Sequence, residues 1–110
     1  MNKVIINLPD NIHFTYGISF LFPNPDLKIL RNLWIETKYE LTRLVNLKMG
    51  ILHYDYFSVF RQGYDEKNGW LYCEFLNTHS EYTSKIQQDI IFEAAENLAK
   101  KYNAELQVGD

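Results

Sequence analysis

The sequence predicts an α+β domain of two layers, an antiparallel sheet with two helices packed on one face. Three observations predict it. Apolar residues alternate with period two near the N-terminus, they recur at three- and four-residue steps in two longer segments, and turn or capping residues stand at the junctions. With 110 residues, 46% of them hydrophobic and 23% charged, the chain fills one core and is read as a single domain, 1–110.

Residues 3–8 are a short β-branched run closed by the turn cluster Pro9-Asp10-Asn11, and they read as a first strand. Beyond it Ile12, Phe14, Tyr16, Ile18, Phe20 and Phe22 fall on every even position, the pattern of a half-buried strand. Phe14, Tyr16, Phe20 and Phe22 are therefore assigned to the core. Asn24-Pro25-Asp26 then supplies an N-cap, a proline at the first helical position and a carboxylate near the positive end of the helix dipole. Leu27, Leu30, Trp34, Leu41, Leu44, Val45 and Lys48 form the expected buried stripe of this helix, and Gly50 offers a left-handed cap to end it. At 1.5 Å per residue the helix would be roughly 37 Å long, enough for one end to overhang the sheet.

Two segments rich in aromatic and β-branched residues, 51–61 and 70–77, predict a hairpin. A two-residue Asn68-Gly69 turn would pair Lys67 with Trp70 and place Phe60 and Tyr64 on the face of Leu71, Cys73 and Phe75; a longer loop is expected to reverse that register. Thr78-His79-Ser80-Glu81 and Ser84-Lys85-Ile86-Gln87 each have capping-box spacing, so the second helix starts at one of them. Its buried stripe is Ile86, Ile90, Ile91, Ala94, Ala95, Leu98 and Tyr102, with Asn103 as cap and a short last strand over 104–108. Without the first short strand the order is βαββαβ, the split βαβ or ferredoxin-like arrangement, here with an extra N-terminal strand. Order alone leaves strand neighbours open, and a hairpin of the first two strands would give a different sheet.

The charge balance narrows the function classes. Eleven basic against fourteen acidic residues give a net charge of -3, which argues against a partner held mainly through phosphates and for a basic or neutral protein partner. Cys73 is the single cysteine, so an internal disulfide and a thiolate zinc site are both excluded, and a reducing compartment is expected. The N-terminal residues lack the apolar region of a signal peptide, and no apolar run approaches the ~18 residues of a transmembrane helix. The expectation is a cytoplasmic protein with no membrane contact.

Catalytic motifs are missing from the sequence. It has neither a glycine-rich phosphate loop nor a nucleophile elbow, and no cofactor is implied. His53 and Asp55 stand two apart on one strand face, where an imidazole and a carboxylate can orient a proton transfer, but no third partner is near in sequence. They read as a polar pair, and a small-molecule enzyme built on them is the least supported function. Cys73, in an apolar strand, reads as a small core hydrophobe.

Gly69-Trp70-Leu71-Tyr72-Cys73-Glu74-Phe75 places two aromatic residues at alternate strand positions after a glycine. This stretch resembles the RNP1 signature of RNA-recognition modules, with Asn68 where that signature opens on a basic residue and Leu71 where it has a small one. The resemblance implies stacking of single-stranded bases on Trp70 and Tyr72, which is the alternative function.

The leading expectation is a small acidic protein-binding module, with an inhibitor or immunity-type antagonist that occludes a basic site as one form. Eight tyrosines, seven phenylalanines and two tryptophans are more rings than one small core needs, and a two-layer fold leaves one sheet face open. Trp70 and Tyr72, or Tyr54 and Tyr56, are the expected anchors, and an open face also suits a homodimer. Asp89, Glu93 and Glu96 share one side of the second helix and are the expected steering charges.

Overall fold

The structure, a computed structural model, describes residues 2–8, 16–23, 27–50, 57–65, 67, 70–77 and 84–109. In chain order the elements are β1 (Lys3–Asn7), β2 (Gly17–Leu21), α1 (Leu27–Met49), β3 (Phe57–Asp65), β4 (Trp70–Asn77), α2 (Ser84–Lys101) and β5 (Glu105–Val108). The sheet order is β3-β4-β2-β1-β5. Removing β1 leaves β4 between β2 and β3, as the split βαβ arrangement requires, so the fold is the expected two-layer ferredoxin-like α+β class with an extra strand.

The extra strand is an insertion. β1 forms an antiparallel hairpin with β2, pairing Val4 with Phe20 and Ile6 with Ile18. Its other edge pairs in parallel with β5, setting Val4 beside Leu106 and Ile6 beside Val108. The expected all-antiparallel sheet is therefore mixed. The physical reason is direction: β2 and β5 run opposite ways, so a strand inserted between them and antiparallel to β2 must run parallel to β5.

Side-chain alternation then fixes the core. Val4, Ile6, Ile18, Phe20 and Leu71 project on one face and join Leu33, Leu41, Leu44 and Val45 of α1 and Ile90, Ile91, Ala94, Ala95 and Leu98 of α2 in one buried cluster. Phe20 meets Phe22 edge-on, ring centroids 6.0 Å apart, and Phe22 lies 5.7 Å from the Tyr102 ring. Tyr16 packs partly buried against this cluster, while Ile12 and Phe14 lie outside the described residues.

The stripe of α1 differs from the expected one. Leu41, Leu44 and Val45 are buried as expected and Trp34 partly so, but Leu33 and Thr37 complete the row and Lys48 is exposed. Thr37 tolerates burial because its hydroxyl donates to the Leu33 carbonyl at 2.6 Å, a local bond that leaves no unpaired polar group. On α2, Ile86 lies at the margin of the buried stripe, 40% exposed.

The β3–β4 pairing sets Asp65 against Trp70 and Tyr64 against Leu71. The connection is residues 66–69, two residues longer than the expected turn. An even change moves partners along the strand without exchanging faces, so Tyr64 stays on the core side and the anticipated reversal does not occur. A register shift between Val59 and Arg61 then sets Val59, not Phe60, in the row of Phe75.

Both helix caps follow the sequence. Gly50 takes φ 67° and its N–H donates to the Asn46 carbonyl at 2.9 Å. Asn103 takes φ 51°, and the Ala104 N–H reaches back to the Ala99 carbonyl at 2.8 Å, a Schellman-type closure. Among the described residues no helix is long and apolar enough to cross a membrane.

A Cβ at Gly50 would meet nothing within 4 Å, so Gly50→Ala tests backbone strain alone. Its expected cost is about 1–2 kcal/mol, read as a lower urea midpoint at unchanged slope. An unchanged midpoint would mean that the left-handed cap is not needed there.

Candidate interaction surface

The face of the sheet away from the helices is defined by register. Ile5 and Ser19 are cross-strand partners, Ser19 pairs with Tyr72, and Leu21 pairs with Trp70. Trp70 and Tyr72 thus occupy the row opposite Leu71, as the sequence predicts. The centre of this face is closed: Ile5 is 5% exposed and Ser19 2%, with Asn7 Nδ2 donating to Ser19 Oγ at 2.6 Å. Trp70 and Leu21 are only half-buried and lie beside that centre. Tyr54 and Tyr56, the second pair of expected anchors, lie outside the described residues, as do His53 and Asp55. Cys73 pairs with Ile18 in β2 and Gln62 in β3. Among the described residues no group of three His, Cys, Asp or Glu side chains is placed to hold a metal.

The acidic row of α2 divides on inspection. Asp89 and Glu96 are exposed. Glu93 instead lies 3.1 Å from the Lys48 ammonium of α1, so its charge is already partnered. Three hydrogen bonds also tie α1 to α2 and the residue that follows it: Glu36 accepts from Lys101 Nζ at 3.0 Å and from the Tyr102 hydroxyl, and Glu40 accepts from Asn97 Nδ2 at 3.0 Å. Position 36 meets 101, 40 meets 97 and 48 meets 93, so α1 and α2 run antiparallel. Arg43, one turn along α1, also donates to Glu40, with Nε at 3.3 Å from Oε2.

This seam has a titration signature. The Arg43 hydrogen bond, aided by Asn97, holds the Glu40 carboxyl below its usual range against the opposing effect of burial. Burial and the hydrogen bond to Glu36 push the Tyr102 phenol above its ordinary value. Pairs this exposed contribute modestly to stability. Their larger effect is orientation, because both carboxylates of α1 are turned toward α2.

One ridge on the outside of α1 is exposed at every four-residue step: Arg31, Ile35, Tyr39, Arg43 and Leu47. Ile35 is 68% exposed, Tyr39 70% and Leu47 69%, the three highest values among the described exposed large hydrophobic residues. Beside the N-terminal half of the ridge, Arg31, Trp34, Ile35 and Lys38 line a shallow groove of about 530 Å³. The sequence expectations missed this surface. The residues were visible, but α1 carries apolar residues at so many positions that spacing alone does not say which ones face outward.

The helices also reverse the overall charge. Together α1 and α2 hold eight of the eleven basic residues and five of the fourteen acidic ones, a formal charge of +3, while the rest of the chain holds -6.

A folded-state carboxyl pKa below its unfolded value gives stability that is complete above the unfolded pKa, about 4.3 for glutamate, and is lost as pH falls through the folded value. Glu40→Gln should therefore flatten the acid limb of the stability–pH profile measured by urea unfolding. An acid limb identical to that of the parent protein would mean that Glu40 is not held by Arg43.

No family model matches the chain, and no curated protein matches it. Among solved structures, a hypothetical protein from Staphylococcus aureus is similar at 14% identity and TM-score 0.42, covering 98% of this chain and 99% of that one. The essential ribosomal processing protease Prp from S. aureus is similar at TM-score 0.40 in two complexes. In complex with a covalently linked product peptide the identity is 15%, and in complex with a substrate peptide it is 10%; each covers 99% of this chain and 98% of that one. Likeness at this level says nothing about the activity of this chain.

Proposed function

We propose that the chain is a small protein-binding module without a catalytic role, working in a reducing, cytoplasmic setting, and that it meets its partner through the α1 ridge. The observation that carries this reading is the run Arg31, Ile35, Tyr39, Arg43 and Leu47, exposed at every position. Large apolar side chains held in water on a regular helix gain about 25 cal/mol per Å² when a partner covers them. Arginine and tyrosine are residue types that dominate binding energy at protein interfaces. A helix ridge of this kind packs against an apolar groove or a second helix through anchors one turn apart.

This placement differs from the one expected of the sheet face. Ile5 and Ser19 are already covered there, which leaves Trp70 and Leu21 as the described partly exposed apolar residues in that region. Asp89 and Glu96 remain available to a basic partner, but Glu93 is engaged by Lys48.

Replacing Ile35 and Tyr39 together by serine tests the reading. Both lie outside the core, so the double variant should change folding stability by no more than about 1 kcal/mol while losing a partner recovered by the parent protein from its host. Recovery of the same partner by the double variant, and its loss on Trp70→Ala, would move the contact to the sheet face.

A further inference from the structure

From the charge on the ridge we infer the chemistry of the partner: an acidic protein segment, carrying apolar side chains at helical spacing, that lies along α1 with a carboxylate on Arg31. The inference rests on the reading of α1 as the contact surface and adds the partner's charge.

Three features converge on it. Arg31, Ile35 and Tyr39 follow one another on one ridge, about 6 Å apart at 1.5 Å per residue, so a cation and an apolar pair lie along one line. The α1 carboxylates that would repel an acidic partner are already engaged: Glu36 by Lys101 and Tyr102, and Glu40 by Asn97 and Arg43. Finally, the +3 carried by the two helices lies in a chain whose remainder is -6, so the attraction of an acidic partner is directed to the helical layer and opposed elsewhere.

Arginine suits this role because its planar guanidinium presents a donor fork to carboxylate oxygens while its stem packs on neighbouring apolar groups. The fork of Arg43 is already engaged by Glu40, so the partner's carboxylate is assigned to Arg31. The groove formed by Arg31, Trp34, Ile35 and Lys38 receives an apolar anchor beside that cation. Tyrosine and large aliphatic side chains along the same ridge favour a protein over a nucleic acid, whose binding is carried mainly by phosphate contacts.

The test uses the full chain with Trp70→Phe, so that Trp34 beside the groove is the one tryptophan and is excited selectively over the tyrosines. Three probes are titrated: a helical peptide of glutamate and leucine with leucines one turn apart, the same peptide with lysine for glutamate, and single-stranded RNA. The expected result is a saturable change in Trp34 emission with the acidic peptide, and neither of the other two probes binding as tightly. Arg31→Glu should weaken the acidic peptide about tenfold or more and improve the lysine peptide, with an unchanged thermal midpoint. Equal or tighter binding of the lysine peptide, no effect of Arg31→Glu, or no response to the acidic peptide overturns the inference about charge. RNA binding as tightly as the acidic peptide overturns it in favour of a general polyanion surface. Retention of acidic-peptide binding by the Ile35 and Tyr39 double serine variant marks a different failure, that of the ridge as the contact surface.

Discussion

The fold depends on the double pairing of β1. This five-residue strand is hydrogen-bonded to β2 on one edge and β5 on the other, and it places Val4 and Ile6 at the centre of the core. Through β1, the short β5 strand that follows α2 is attached to the rest of the sheet. A strand with both edges paired and buried residues on both faces forgoes all contact with solvent at its centre, which is why its middle is a continuous β-branched run.

This insertion also shapes the surface. By widening the sheet it brings Ile5 beside Ser19 on the face without helices, where both are buried. The helices take the complementary arrangement. Their polar residues are used between them, with Glu36, Glu40 and Lys48 of α1 meeting Lys101, Asn97 and Glu93 of α2. The outward side of α1 carries the ridge from Arg31 to Leu47 together with Asn32 and Asn46. In a chain of net charge -3 the helical layer carries a formal charge of opposite sign.

Local signals in the sequence proved legible where a single residue has a single physical reason. Gly50 and Asn103 end their helices in the left-handed region because few other residues adopt it at low cost, and Ile18, Phe20 and Phe22 alternate because one side of β2 faces the core. Non-local facts were not legible. Nothing in the run from Lys3 to Asn7 says that its second neighbour is β5, and the length of the 66–69 connection is not encoded by Asn68-Gly69 alone. The candidate site fell between these cases. Leu33, Trp34 and Ile35 are consecutive apolar residues on three sides of α1, so periodicity admits more than one buried stripe, and the packing of α2 decides that Leu33 goes in and Ile35 stays out. The acidic row of α2 was legible as a row, but the engagement of Glu93 by Lys48 depends on the antiparallel register of two helices far apart in sequence.

The most direct test of the role assigned to β1 is native-state hydrogen exchange followed residue by residue in solution. A central strand paired on both edges opens only when the sheet is disrupted, so the amides of Val4, Ile5 and Ile6 should exchange among the slowest in the protein, with free energies equal to that of global unfolding. Exchange of these three amides at the faster rates of an edge strand, while Ile18 and Phe20 in β2 remain protected, would contradict the account.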